Sequence, residues 1–202
     1  MMPREVLLFD VGGVLADWDG ITPLVELTGG RLSREEARRF WLEFAPLDPF
    51  ETGKASSSGF LEAAVEALSL DMSSEAFAQH YAGWVTGLYP GTQELLERID
   101  PRFYMAILSN NNALHWPVIQ RTGLEVHFDA VFLSHEIGYR KPDPRAWQYV
   151  LETLECSASQ VVFLDDNPEC VDAARALGVR SHLVKGREAL EACLEEEGYL
   201  LS

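Results

Sequence analysis

The segment Val6 to Leu15, VLLFDVGGVL, constrains this chain more than any other, because it runs an apolar strand straight into an aspartate and then a glycine pair. In doubly wound α/β domains ligands bind outside the carboxyl ends of such parallel strands, which is where Asp10 falls. Gly12 and Gly13 let the backbone turn closely around whatever binds. Asp10 is therefore a candidate nucleophile or metal ligand, although an aspartate after a short apolar run is, taken alone, more often a turn residue.

Three further segments shift that balance. Val161 to Asn167 reads VVFLDDN, a second apolar strand ending in the adjacent carboxylates Asp165 and Asp166, whose mutual repulsion calls for a cation, with magnesium the economical choice. Met105 to Asn110 reads MAILSN, a third strand ending in a hydroxyl and an amide suited to the oxygens of an anion. Arg140 to Asp143 reads RKPD; the proline disfavours helix at Lys141 and holds it in an extended or turn segment as a fixed positive charge, with Arg140 beside it.

Patterning predicts strands near 5–9, 104–108, 130–133, 161–164 and 180–184, separated by amphipathic stretches near 92–99, 113–121, 144–154, 169–177 and 187–196. Such alternation implies α/β architecture, a parallel sheet with right-handed crossovers. Between about 18 and 88 the pattern changes to helices near 22–28, 33–44, 57–69 and 73–87, with no convincing strand. Ser33 and Glu36 form a capping box, and Ser73 or Ser74 opens the last helix. The expected division is a core domain of 1–17 and 89–202 and a helical domain of 18–88.

With Asp10, Ser109, Lys141 and the Asp165–Asp166 pair in this order at strand ends, the chain resembles the haloacid dehalogenase superfamily of hydrolases over nearly its whole length. It looks most like the small sugar-phosphate phosphatases that begin D-x-G-x-V and later carry L-S-N, R-K-P and D-D-N. The resemblance implies a Rossmann-like parallel-sheet core with an all-helical cap inserted after the first motif. It also implies a magnesium-dependent phosphatase acting on a small phosphorylated metabolite through an aspartyl-phosphate, a sugar 1-phosphate being one candidate. Asp10 would be nucleophile and metal ligand, together with the Gly12 carbonyl, Asp166 directly and Asp165 through water. Ser109 and Lys141 would hold the phosphoryl oxygens, and Asn110, Gly13 and Trp18 would complete the substrate site.

Two positions depart from the family pattern. Many of its phosphatases have an aspartate as leaving-group acid where this chain has Gly12, although the sugar-phosphate group also has glycine there; Asp17 is a candidate replacement. Cys170 stands where Asp or Asn often steadies the metal shell. Gly12 is also compatible with a 2-haloacid dehalogenase, and a non-catalytic phosphate-binding or interaction protein remains an alternative. A signalling receiver domain is opposed by motif order, and a nucleotide-binding Rossmann module by the lack of G-x-G-x-x-G.

A net charge of −16 argues against nucleic acid and means that any phosphate ester is attracted locally, by magnesium, Lys141 and Arg140. The three cysteines have no ligand spacing, and the five histidines read as structural or surface residues. With no signal-like N-terminal run and no stretch near a membrane span, a soluble protein of a reducing cytoplasm is expected. Oligomeric state has no sequence signal.

Overall fold

The computed structural model describes residues 5–201. In chain order the first elements are β1 (Val6–Phe9), β2 (Ala16–Trp18), α1 (Thr22–Leu27), α2 (Arg34–Glu43), α3 (Leu47–Glu51), α4 (Ser57–Ala67), α5 (Ser74–Ala82) and β3 (Val85–Leu88). There follow α6 (Thr92–Glu97), β4 (Tyr104–Ser109), α7 (Trp116–Gln120), β5 (Ala130–Leu133), α8 (Ser134–Ile137), α9 (Pro144–Thr153), β6 (Val161–Asp165), α10 (Pro168–Ala176), β7 (Arg180–Leu183) and α11 (Gly186–Glu196).

All five predicted core strands are present and form one parallel sheet in the order β5-β4-β1-β6-β7. The three central strands are apolar along their length because both faces are covered. Leu7, Phe9, Ile107, Val162 and Leu164 pack into one core, while Val6, Leu8, Ala106, Leu108, Val161 and Phe163 pack into the other. Burial of a side chain such as Phe9 contributes about 1.5–3 kcal/mol. Phe9 lies opposite Ile107 on one side and Leu164 on the other, so the ends of β1, β4 and β6 align. The chain leaves β1 toward β4 on one side and β6 on the other, which opens a crevice at the sheet's topological switch point.

The helices between β2 and β3 have a separate core built on Leu24, Phe50, Phe60, Phe77, Tyr81 and Trp84. Phe50 and Phe60 stack at 4.1 Å. The Ser33 capping box forms as expected, and of Ser73 and Ser74 it is Ser73 that caps α5, accepting from the Ala76 N–H. The strand-free expectation for 18–88 fails at its end. The helix predicted over 73–87 stops at Ala82, and β3 pairs antiparallel with β2. Phe77, Tyr81 and Trp84 continue a helical spacing, but Val85, Gly87 and Leu88 find strand partners in Ala16–Trp18, far earlier in the chain, and that long-range pairing prevails over local period. Among the described residues no helix is long and apolar enough to cross a membrane.

Candidate active site

Asp10 directly follows β1, and its main-chain N–H donates to the Leu164 carbonyl at 2.9 Å, which holds it beside the end of β6. The chain then turns back: Gly13 N–H donates to the Ala16 carbonyl and Ala16 N–H to the Val11 carbonyl. Gly13 has φ +75°, and a Cβ there would lie 2.3 Å from Asp166 Oδ2, so only glycine lets the turn approach that carboxylate. Gly12 is different, since a Cβ there meets no heavy atom within 4 Å.

Lys141 binds the two aspartates together. Its Nζ donates to Asp165 Oδ2 at 2.6 Å and lies 3.0 Å from Asp10 Oδ1, with the Phe163 ring 5.2 Å away. Asn110 positions it, for the Asn110 amide donates to the Lys141 carbonyl at 2.8 Å while its oxygen accepts from the Lys141 N–H at 2.7 Å. Asn110, expected at the substrate, thus has both ends of its amide engaged on the lysine main chain. Ser109 closes β4, is buried, and lines the same cavity as Asp10.

Ligand oxygens of Asp10, Asp165 and Asp166 all fall within 4.8 Å of one another. Three carboxylates around one ammonium leave two negative charges in excess, and the donors are all hard oxygens, a set that suits magnesium. The electrostatics agree. Burial, reinforced by the Asp165 charge and opposed by Lys141, raises the Asp10 carboxyl to about 7. Burial and Asp165 also raise Asp166. For Lys141 burial works against the charge, but Asp10 and Asp165 outweigh it and hold the ammonium above its ordinary range. Asp165 has both oxygens bonded, Oδ2 to Lys141 and Oδ1 to the Asn167 N–H at 2.7 Å. Asp10 and Asp166 line the cavity, whereas Asp165 is not among its lining residues. Cys170 is buried, with its thiol pushed up to about 12 by burial, so it offers no anionic ligand at neutral pH.

The cavity over Asp10, about 300 Å³, reaches from Gly12, Gly13 and Ser109 to Trp18 and, on the helical segment, to Glu51 and Tyr81. A second cavity of about 540 Å³ shares Trp18, Glu51, Tyr81 and Asp166 and adds Arg38 and Trp41. Trp18, 43% exposed, stands on the wall of both. Arg140 does not point at the phosphoryl centre as expected. It pairs instead with Glu51 at 3.0 Å and Asp48 at 4.0 Å, because burial of Glu51 beside it demands a counter-charge.

The sequence reading passed over Glu51 and Tyr81, and it took His115, with the other histidines, as structural or surface. His115 is a neutral imidazole, its pKa lowered to about 4 by burial. Its Nε2–H donates to the Tyr81 carbonyl at 2.8 Å, its Nδ1 accepts from Asn112 Nδ2 at 3.2 Å, and its ring stacks on Tyr81 at 4.2 Å. Asn112 Oδ1 in turn accepts from the Leu114 and His115 N–H groups in the turn that leads into α7. No periodicity marks these residues. The run of three asparagines after Ser109 was the one local hint of a structured loop.

The family model for haloacid dehalogenase-like hydrolases matches residues 5–178. Phosphatase MT3486 of Mycobacterium tuberculosis is 31% identical over 192 residues, covering 91% of this chain and 88% of its own length. A haloacid dehalogenase family enzyme of Bacteroides thetaiotaomicron, solved with magnesium and inorganic phosphate, has a TM-score of 0.77 at 22% identity, over 90% of this chain and 94% of that one. L-2-haloacid dehalogenase of Xanthobacter autotrophicus has a TM-score of 0.65 at 22% identity, over 100% of this chain and 85% of that one. At such identities the two solved structures share a fold with this chain, and their chemistry remains their own.

Proposed function

The chain belongs to the haloacid dehalogenase-like hydrolases, and from that premise we propose that it is a magnesium-dependent phosphatase of small phosphate monoesters, working through an aspartyl-phosphate. The observation that carries this reading is the cluster of Asp10, Asp165 and Asp166 around Lys141 at the end of β1. The relative named a phosphatase and the neighbour solved with magnesium and phosphate point the same way.

Asp10 attacks phosphorus in line, the ester oxygen departs with the alcohol, and water later cleaves the acyl phosphate to return the carboxylate and release inorganic phosphate. Lys141 has two of its three N–H directions occupied by Asp10 and Asp165, which leaves one for a phosphoryl oxygen. Ser109 donates to another, so that charge spreading over these oxygens is met by fixed donors. Asp10, Asp166 and the Gly12 carbonyl would hold magnesium, and Asp165 would act through water. When bound, the metal would draw negative charge from the phosphoryl group. The helical segment over the cavity excludes water from the reacting atoms. Its assignment as a distinct cap domain over 18–88, with the core in 1–17 and 89–202, is part of this proposal.

Hydrolysis of p-nitrophenyl phosphate and a panel of sugar phosphates with magnesium, against the same reactions in chelator and against 2-chloropropionate, tests the reading. Turnover of esters that disappears in chelator and returns with magnesium is expected. Undiminished turnover in chelator overturns the metal-assisted mechanism, and halide release identifies a dehalogenase. The dehalogenase reading is the weaker because that chemistry needs no metal, whereas the full cluster of Asp10, Asp165 and Asp166 makes better sense around a divalent cation.

Gly12 has a consequence for the leaving group. With no carboxyl at position 12 to protonate a departing alkoxide, the enzyme is expected to favour a sugar 1-phosphate, whose anomeric hydroxyl is the more acidic, over a 6-phosphate. A Cβ at Gly12 meets no heavy atom within 4 Å, so the backbone there has room for the first side-chain atom of Gly12→Asp. That substitution should raise turnover of the 6-phosphate relative to the 1-phosphate by up to about 10²-fold, the lower range for a general acid. Equal wild-type rates on the two esters would send the search for a proton donor to Asp17, whose Oδ2 now accepts from the Thr86 hydroxyl at 3.1 Å.

A further inference from the structure

We propose that Glu51 receives the leaving group and selects esters whose organic part presents a hydrogen-bond donor, a hydroxyl or an ammonium, while excluding those that carry a second anion. The inference rests on the phosphatase reading above.

The cavity over Asp10 is lined by four carboxylates, those of Asp10, Asp166, Asp17 and Glu51, and among the described residues lining it there is no lysine or arginine. Two of the four belong to the phosphoryl centre, where Lys141 and a divalent cation offset them. Asp17 and Glu51 face the remainder of the ligand. Asp17 is exposed and screened by water, whereas the Glu51 carboxylate is mostly buried, at 14% exposure.

Glu51 reaches this position from the end of α3, on the helical segment, and Arg140 from the core holds it there. Arg140 borders the second cavity and not the one over Asp10, so a ligand above Asp10 meets the Glu51 carboxylate and not its counter-ion. Glu51 Oε2 is buried against the Arg140 guanidinium at 3.0 Å, while the residue also lines the cavity over Asp10. A carboxylate held in a partly dehydrated wall favours a hydrogen-bond donor. A substrate hydroxyl or ammonium supplies that donor. A carboxylate or second phosphate cannot, and it would sit against like charge in a partly dehydrated cavity. Tyr81 completes the subsite. Its hydroxyl accepts from Asn112 at 3.4 Å, which leaves its own proton to donate, and its ring and that of Trp18 offer apolar faces to the carbon skeleton.

The test is kcat/KM of the full chain with magnesium on glycerol phosphate, phosphoethanolamine and phosphoglycolate, with p-nitrophenyl phosphate as reference. Wild type should prefer at least one of the two donor-bearing esters over phosphoglycolate by about 10–100-fold, and which one it prefers separates hydroxyl from ammonium. Glu51→Gln keeps the shape, removes the charge and leaves Arg140 with only the more distant Asp48 as counter-charge, so the preference should narrow by about tenfold or more, with phosphoglycolate rising and the donor esters falling. Should the single variant be too unstable to assay, the double variant Glu51→Gln with Arg140→Gln leaves no lone charge and carries the same expected narrowing. Cleavage of p-nitrophenyl phosphate together with a wild-type preference for phosphoglycolate, or an unchanged ratio in the variants, overturns this inference alone. No cleavage of any ester, p-nitrophenyl phosphate included, overturns the phosphatase reading and this inference with it.

Discussion

Asp10→Asn is expected to lower turnover of every phosphate ester by on the order of 10⁴–10⁶-fold, the scale of loss when an enzyme's nucleophile is removed. An amide cannot form the acyl phosphate. It can still accept the hydrogen bond from the Val11 N–H, at 2.7 Å from Asp10 Oδ1, and the one from Lys141 at 3.0 Å. The fold should therefore persist, with a melting temperature within a few degrees of wild type, since the substitution removes one of three crowded carboxylates without changing shape. Turnover with magnesium and a thermal melt on the same preparation separate the two effects. An active Asp10→Asn protein, shown by mass to be free of deamidation, would rule out Asp10 as nucleophile.

Lys141→Ala should be the second most damaging change, and unlike the first it should strike stability as well. Asp165 has no exposed surface, and the Lys141 ammonium at 2.6 Å is its counter-charge. Removing one partner of a buried pair costs about 3–5 kcal/mol. At about 2–4 °C per kcal/mol for a chain of this size, the melting temperature should fall by roughly 10 °C. Loss of a fixed donor to the transferring phosphoryl group should lower kcat by about 10²–10³-fold. Arg38→Ala is the control. Arg38 lies on the wall of the second cavity and does not line the one over Asp10, and its loss should cost far less in kcat. If Arg38→Ala proved the more damaging at saturating magnesium, the positive centre would have been assigned to the wrong residue.

The core of the fold was legible because its signals are local. Runs such as VLLF and VVFL are apolar at every position, and a strand buried on both faces permits nothing else, so β1, β4 and β6 were readable as strands without knowledge of their neighbours. The polar side chains that end them stood out for the same reason, which is how Asp10, Ser109, Asp165 and Asp166 were found, whereas Lys141 was found from the proline that follows it and lies in the loop after α8 and not at a strand end. Where the decisive partner is distant in sequence, reading failed. Val85–Leu88 became a strand because Ala16–Trp18 lies beside it, and Glu51 entered the site only because α3 folds over the crevice and meets Arg140.

By itself, then, the sequence determined the parallel core and the residues available for chemistry at the strand ends, since continuous burial and the cost of an acid beside it are properties of short segments. Only the tertiary structure decided what those residues face. Lys141 sits between Asp10 and Asp165 because Asn110, 31 residues earlier, anchors its main chain. Asp165 is occupied while Asp10 and Asp166 open to the cavity because of where β6 ends relative to β1. Arg140 turned from the phosphoryl centre to Glu51 because a charge inside a protein goes to the counter-charge that is desolvated with it, and that choice is made between segments far apart along the chain.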